Sequence, residues 1–357
     1  MVREVSYDLE EGLRFRFVWS CRISATTQAR SRDDSSTLRA NMKATNRSTE
    51  LDGGSAASIE IVERLRGITI VQHVGVDRKL WATAGRTILC REHEQWERLT
   101  RFPFCRPRDF FGWNRLCQRA ARADKANVFV NDMGHTLAIR GGIVYQLTSD
   151  HRLLPKQHIQ GDSVLHGSLC EAKDGCTYFG EYFMNPERQP VRVWRASPKM
   201  ESVEVAHEFP EKSIRHVHGV YRDPVDDALW LTSGDYENEC FLYRSDDHFK
   251  TLERFGDGGQ TWRAVRLFFT PDYVCWITDS HLEQNHACRM NRRTGQLEVG
   301  QAVDCSSWYG TTLRSGQHVA FTTVEKGPAI HRDESSVLVS WDAFNWSEVG
   351  VFKKDMW

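Results

Sequence analysis

Several things are scarce in this 357-residue chain, and each scarcity excludes something. No apolar run approaches the roughly 18–20 residues that a membrane-spanning helix needs, so no membrane span is expected. The basic surplus that neutralises phosphates is missing: 47 Lys and Arg stand against 48 Asp and Glu, for a net charge of −1. That balance excludes a general nucleic-acid binder. The ten cysteines form no CxxC and no short metal-type spacing. Most lie inside apolar runs, Cys90, Cys240, Cys275 and Cys288 among them, as small buried hydrophobes of a reducing compartment would. The stretch LRFRFVWSCRIS is broken by Arg14, Arg16 and Arg22, unlike a secretory leader. These readings place the protein in the cytoplasm. Helical periodicity is scarce too: no apolar pattern outlasts about two turns, except over 106–125, where a short helix or a long connection is expected.

Aromatic residues, by contrast, are plentiful. The 12 Trp, 18 Phe and 9 Tyr supply a large core and rings for stacking on sugars. Residues 20–57 are rich in Ser, Thr and Arg, a composition that cannot bury enough apolar surface to order itself. The expected organisation is therefore a low-complexity, disordered extension over 1–57 and one folded domain over 58–357. The domain repeats itself. Trp81, Phe129, Tyr178, Trp230, Trp276 and Phe321 each precede a small or polar stretch, at intervals of 45 to 52 residues. A second strand follows each, marked by Cys90, Tyr145, Trp194, Tyr243, Cys288 and Val339, at intervals of 45 to 55 residues. Short strands repeating every ~40–50 residues and separated by turn residues are the signature of propeller blades. The expectation is an all-β, six-bladed β-propeller of four-stranded antiparallel blades. WSEVGVFKK is expected to close the ring by pairing with an N-terminal strand near ASIEIVERL.

One turn is unusual. LYRSDDHFKTLERF places Ser245, Asp247, Phe249, Thr251 and Leu252 between two strands. An Asp carboxylate there can accept turn N–H groups, with Ser and Thr hydroxyls satisfying more of the backbone. SWDAFNW, with Ser340, Asp342, Phe344 and Trp346, is a shortened second copy, and WRASPKMESVEV is a decayed third. With the period, these turns make residues 60–357 resemble the BNR/Asp-box repeat family of sialidase-like β-propellers, whose box reads S-x-D-x-G-x-T-W. Here Phe249 stands for Gly and Leu252 for Trp. In that family the boxes lie on the face away from the substrate pocket, so the box implies a fold and not an activity. The Arg-Ile-Pro motif of true sialidases is absent, and their catalytic residues are not carried over.

Candidate chemistry follows from the period. Glu181, Asp235, Asp279 and Glu325 fall three to five residues after their aromatic markers. Equivalent points of a ring lie on one face, so these four carboxylates are the candidate acid/base groups. Arg188, Arg263, Trp262, Tyr309 and Asn185 are the candidate substrate-binding residues, offering charge, amide and stacking surface. His216 and His218 share one side of a strand, and with His166 and a carboxylate they could hold a divalent metal. The leading expectation is a carbohydrate-directed propeller with a polar axial pocket, a glycoside hydrolase or lyase acting on an acidic sugar or other small polar ligand. One alternative is a non-catalytic binding or assembly platform. Another is a metal-dependent lactonase or lyase, which requires the histidines to converge with carboxylates.

Overall fold

The computed structural model describes residues 4–9, 13–21, 50–51 and 55–353, apart from 66, 94, 106–107 and 112–124. It is a six-bladed β-propeller. Blade 1 spans 70–101, blade 2 127–158, blade 3 170–209, blade 4 216–258, blade 5 264–303 and blade 6 306–353. Each is a four-stranded antiparallel sheet whose strands neighbour one another in chain order. The only helical turns among the described residues are two 3-10 turns, Arg108–Phe111 and Gln260–Trp262. In the segment 106–125, where a short helix or a long connection is expected, the described residues include the first of these turns, and residues 112–124 lie outside them.

The blades stand face to face, so second and third strands are covered on both sides. Leu229–Gly234 of blade 4 is buried at every position. Fourth strands such as Glu253–Gly258 are half exposed and carry the charge. Apolar side chains of consecutive blades form the core. Trp230, Leu242, Trp262, Trp276 and Cys288 join blade 4 to blade 5. Phe179, Trp194 and Met200 meet Leu137 and Ile139 between blades 2 and 3. Each such side chain contributes roughly 1.5–3 kcal/mol by leaving water. Cys90, Cys105, Cys170, Cys176, Cys240, Cys275, Cys288 and Cys305 are free thiols, and all but Cys105 and Cys170 are buried.

The repeat markers fall where the period puts them, with one exception. Trp81, Tyr178, Trp230, Trp276 and Phe321 lie on second strands, and all six of the other markers lie on third strands. Phe129 lies instead on the first strand of blade 2, Asn127–Val130. The equivalent of Trp81, which pairs with Cys90, is Ala138, which pairs with Tyr145.

The Ser245 turn links the third and fourth strands of blade 4. Phe249 N–H and Asp247 N–H donate to Ser245 Oγ at 2.8 and 3.4 Å, and Ser245 Oγ donates to Asp247 Oδ1 at 2.9 Å. Thr251 donates through its N–H to Asp247 Oδ1 at 2.9 Å and through Oγ1 to Oδ2 at 2.7 Å. The Ser340 turn repeats the pattern, with Asp342 Oδ1 accepting from the N–H groups of Phe344 and Asn345 at 3.0 and 2.8 Å. In blade 3, Ser197 Oγ accepts from the N–H of Glu201 and Ser202. All three turns seat a fully buried residue at positive φ: Phe249 (67°), Ala343 (57°) and Met200 (58°).

The ring closes differently from the expectation. Among the described residues, the strand Ser347–Lys353 pairs only with Glu334–Ser340 of its own blade. The strand Ser55–Arg64 belongs to a separate four-stranded sheet with Glu4–Leu9, Leu13–Cys21 and Glu50–Leu51. That sheet runs against the last strand of blade 6 through Ser55–Arg64 and lies near Ile70–Val74 of blade 1 through Glu4–Leu9. Ile59 packs against the blade 6 cluster of Val337, Val339 and Val349. The contact is side-chain packing, without a ladder. Residues 22–49, the greater part of the extension expected to be disordered, lie outside the described residues.

Candidate functional site

In an antiparallel pair the start of one strand faces the end of the next. His216 pairs with Gly234, Ala264 with Thr278 and Ser306 with Thr323, each joining first strand to second. A residue at the head of a first strand therefore meets the residue just past a second strand, at one end of the ring. Blades 4, 5 and 6 deliver their chemistry to this end. His216 and His218 open a first strand, Arg215 and Arg263 immediately precede one, and Asp235, Asp279 and Glu325 follow second strands.

Asp235 is the centre of the group. Its Oδ2 lies 3.1 Å from Arg215 Nη1 and 3.4 Å from His216 Nε2. Its Oδ1 lies 3.0 Å from His218 Nε2 and 3.2 Å from Arg263 Nη2. Arg263 Nη2 also reaches Asp279 Oδ2 at 3.3 Å, so one guanidinium nitrogen bridges two carboxylates. Trp308 Nε1 donates to Asp279 Oδ1 at 2.6 Å. His281 Nδ1 lies 3.2 Å from Arg263 Nη1 and 3.9 Å from Glu325 Oε2. The ring of Tyr182 sits 4.3 Å from that of His216. Arg215, His216, His218, Arg263 and Asp279 are buried, while Glu325 and His281 are about a quarter exposed and mark the open side.

Backbone detail permits this crowding. A Cβ at Gly234 would stand 2.7 Å from His218 Cε1, so the residue before Asp235 must lack one. Gln260 Nε2 donates to the Asp235 carbonyl at 3.0 Å and holds the loop.

The two bridged carboxylates are driven in opposite directions. Burial pushes Asp235 up, but the adjoining His216 and His218 outweigh it and hold the group far below the usual carboxylate range. Burial dominates at Asp279 and pushes it up to about 7; Arg263 opposes and Glu325 reinforces the rise. Burial, then Asp235, Asp279 and Glu325, push the Tyr182 phenol up to about 12. Burial lowers His218 despite its bond to Asp235.

The cluster also contains unsatisfied polar atoms. Arg215 Nε, Arg263 Nε and His216 Nε2 are buried without a hydrogen-bond partner. His216 Nε2 is near Asp235 but outside hydrogen-bond geometry. Buried polar groups in folded proteins are nearly always paired, so these three atoms are candidates to receive a ligand.

The structure thus brings together Asp235, Asp279, Glu325, Arg263, His216 and His218 from the sequence expectation. Glu181, Arg188, Asn185 and Trp262 are engaged elsewhere. Glu181 is fully buried and turned under its own blade. Its Oε1 accepts from Gln160 N–H at 2.9 Å and Trp194 Nε1 at 3.2 Å, and its Oε2 accepts from Arg192 N–H at 3.0 Å. Arg188 pairs with Glu239 at 2.5 Å and lies over the ring of Tyr236. Asn185 acts on the cluster indirectly, donating to the Arg215 carbonyl at 3.0 Å. Trp262 is a core residue 5.4 Å from Trp276. His166 sits in a turn ahead of blade 3 with its ring 6.0 Å from that of Tyr309. The described residues that could share one metal ion are His216, His218 and Asp235: the expected carboxylate is present, and His166 is not among them. The sequence offers Arg215 and Trp308 on inner strands and Tyr182 and His281 on the loops after second strands, without a specific role, and the structure brings all four to the cluster. Arg215 directly precedes His216 as Arg263 precedes its own first strand.

No family model matches the chain, and no curated protein matches it. Solved structures similar to it in fold include a candidate TolB from Agrobacterium tumefaciens, at TM-score 0.43 and 10% identity over 72% of this chain and 85% of that one. Another is a gluconolactonase from Xanthomonas campestris, at TM-score 0.38 and 14% identity over 71% and 80%. A third is TolB from Acinetobacter baumannii, at TM-score 0.43 and 12% identity; the match covers 80% of this chain and 63% of that one.

Proposed function

We propose that this chain is a cytoplasmic hydrolase or lyase that acts on a small, hydroxyl-rich, acidic ligand, an acidic sugar in the first instance, at the axial cluster of blades 4 to 6. The observation that carries this reading is the pair Asp235 and Asp279. They share Arg263 yet are pushed apart, one held ionised and the other raised to about 7. Carboxylates whose environments separate them in this way are the usual signature of acid/base assignments. In this reading Asp279 gives and takes the proton, Asp235 stays a fixed anion that orients both histidines, and the orphaned Arg215 and Arg263 N–H groups receive the ligand's oxygens. Glu325, His281 and Tyr182 form the entry. Kinship with the BNR/Asp-box propellers belongs to the same proposal, supported by the Ser245 and Ser340 turns.

A panel of uronides, sialosides and neutral glycosides, assayed for released reducing ends and for unsaturated products, tests it. Turnover is expected on an acidic member, falling by roughly 10²–10⁴ in kcat in Asp279→Asn. Turnover that survives this substitution unchanged would remove Asp279 from its role.

A second reading is a non-catalytic binding platform. It is favoured by Met184, Tyr236 and Leu282, exposed apolar residues on the loops that follow the second strands of blades 3, 4 and 5. Saturable sugar binding without turnover would select it. A metal-dependent lactonase or lyase would need an ion on His216 and His218.

A further inference from the structure

His216 and His218 are each anchored through Nδ1, which lies 3.0 Å from the Phe183 carbonyl in one case and 3.0 Å from the Ala264 carbonyl in the other. A carbonyl oxygen can only accept, so both Nδ1 atoms carry the hydrogen. The Nε2 atoms are the remaining ends, and both face the Asp235 carboxylate, at 3.4 and 3.0 Å. A neutral imidazole presents a lone pair there, toward an anion. Only a cation between the groups, a proton or a metal ion, removes that repulsion. His216 is 2% exposed, and its Nε2 has no hydrogen-bond partner. Anchoring one ring nitrogen on a backbone carbonyl is also how metal-ligating histidines are oriented.

We propose that His216, His218 and Asp235 bind one first-row divalent transition-metal ion, zinc foremost. The three donor atoms lie within 4.8 Å of one another. Donors placed 2.0–2.1 Å from one ion stand roughly 3.3 Å apart, and the two His–Asp separations already bracket that spacing. Two imidazoles and one carboxylate suit zinc, cobalt, nickel or iron, whereas calcium and magnesium take oxygen ligands.

The same carboxylate is held by Arg215 and Arg263, and two guanidinium groups repel a dication at this range. Metal binding is therefore an exchange. Arg263 keeps Asp279 at 3.3 Å and the Asp235 carbonyl at 3.3 Å when it lets go of the carboxylate. Arg215 keeps the Tyr236 ring at 5.0 Å and Met184 Sδ at 3.2 Å. The ion enters where the arginines leave, and the site alternates between an arginine-locked and a metal-bound form. This inference concerns occupancy, and it stands whether or not the cluster is catalytic.

The test uses the full chain, stripped with chelator, dialysed and titrated with Zn²⁺ or Co²⁺ alone at neutral pH. One equivalent per chain is expected, with Co²⁺ giving visible d–d absorption. His218→Ala and Asp235→Asn should each weaken binding by more than the roughly 10–100-fold cost of losing an outer-sphere partner. His166→Ala should leave it unchanged. Arg215→Gln should tighten binding by about tenfold or more, because it removes a competing charge. Should the His218 variant fail to fold, the Arg215 variant decides, since a site elsewhere would not respond to it. Failure of the unmodified chain to take up either ion would overturn the proposal. So would uptake that persists in Asp235→Asn and is indifferent to Arg215→Gln.

Discussion

Asp279 shows how one side chain can set the pH response of the whole fold. An unfolded Asp titrates near 3.9, and burial raises this one to about 7. The folded state therefore holds its proton more tightly than the unfolded state does. The contribution is fully present below about pH 4 and is lost as pH rises toward and through 7, by on the order of 4 kcal/mol. Asp279→Asn cannot ionise, so its stability relative to the parent should improve between pH 5 and pH 8. Urea melts of both proteins at the two pH values check this; parallel behaviour would show that Asp279 is ionised throughout. Asp235 has the opposite sign. Its depressed titration gives stability that is present above the unfolded value and lost progressively as pH falls below it. Gly234 gives a second test at this scale. In Gly234→Ala the new methyl meets His218 Cε1 at 2.7 Å and no charge is altered. The variant should stay folded, as the clash falls on one ring, but lose sugar or metal binding at the cluster. Retained binding would mean that His218 can move without consequence.

At the scale of the strand and turn, much was legible in the sequence because β structure writes its period locally. Aromatics and turn residues recur at each blade, so second and third strands could be placed one by one. Phe129 misled because the second strand of blade 2, Thr136–Arg140, carries no aromatic while those of the other blades do; the nearest ring lay on the preceding strand. The acids were legible for the same reason. Asp235, Asp279 and Glu325 meet because equivalent points of successive blades share a face. Glu181 occupies the same point of its blade, but Trp194 and two backbone N–H groups draw its carboxylate inward. Side-chain direction is a property of neighbours distant in sequence, and no spacing encodes it. The Ser245 turn offers the test for this scale. Phe249 is fully buried, 5.6 Å from the Tyr178 ring across the interface with blade 3, at a φ of 67° that a box glycine adopts without strain. Lost packing of a phenyl ring costs about 3–5 kcal/mol, against the ~1–2 kcal/mol of strain that a left-handed side chain stores. Phe249→Gly should therefore destabilise although it brings the turn nearer the S-x-D-x-G pattern it resembles, as measured by urea denaturation. A neutral or stabilised variant would mean that the backbone term wins.

Over the whole molecule, the seam between the first and last blades was the least legible feature, because contacts between distant parts of a chain leave no local trace. Five successive blade interfaces each have their own apolar cluster. At the sixth, the blade 6 cluster is completed by Ile59 from the strand Ser55–Arg64. Ile59 reaches the last strand closely enough that a Cβ at Gly350 would stand 3.4 Å from its Cδ1. The N-terminal sheet thus covers apolar surface that a six-bladed ring alone would leave to water. If this packing holds the seam, Ile59 and Val349 must be energetically coupled. Half-buried Ile59→Ala should cost about 1–2 kcal/mol, below the ~2–5 kcal/mol of a fully buried site. The Ile59→Ala/Val349→Ala double variant should depart from additivity by at least ~0.5 kcal/mol, as residues sharing a cluster do. A double-mutant cycle from urea melts measures the term. Strict additivity would mean that the strand does not rest on blade 6 in solution, and that the ring holds its seam by the blades alone.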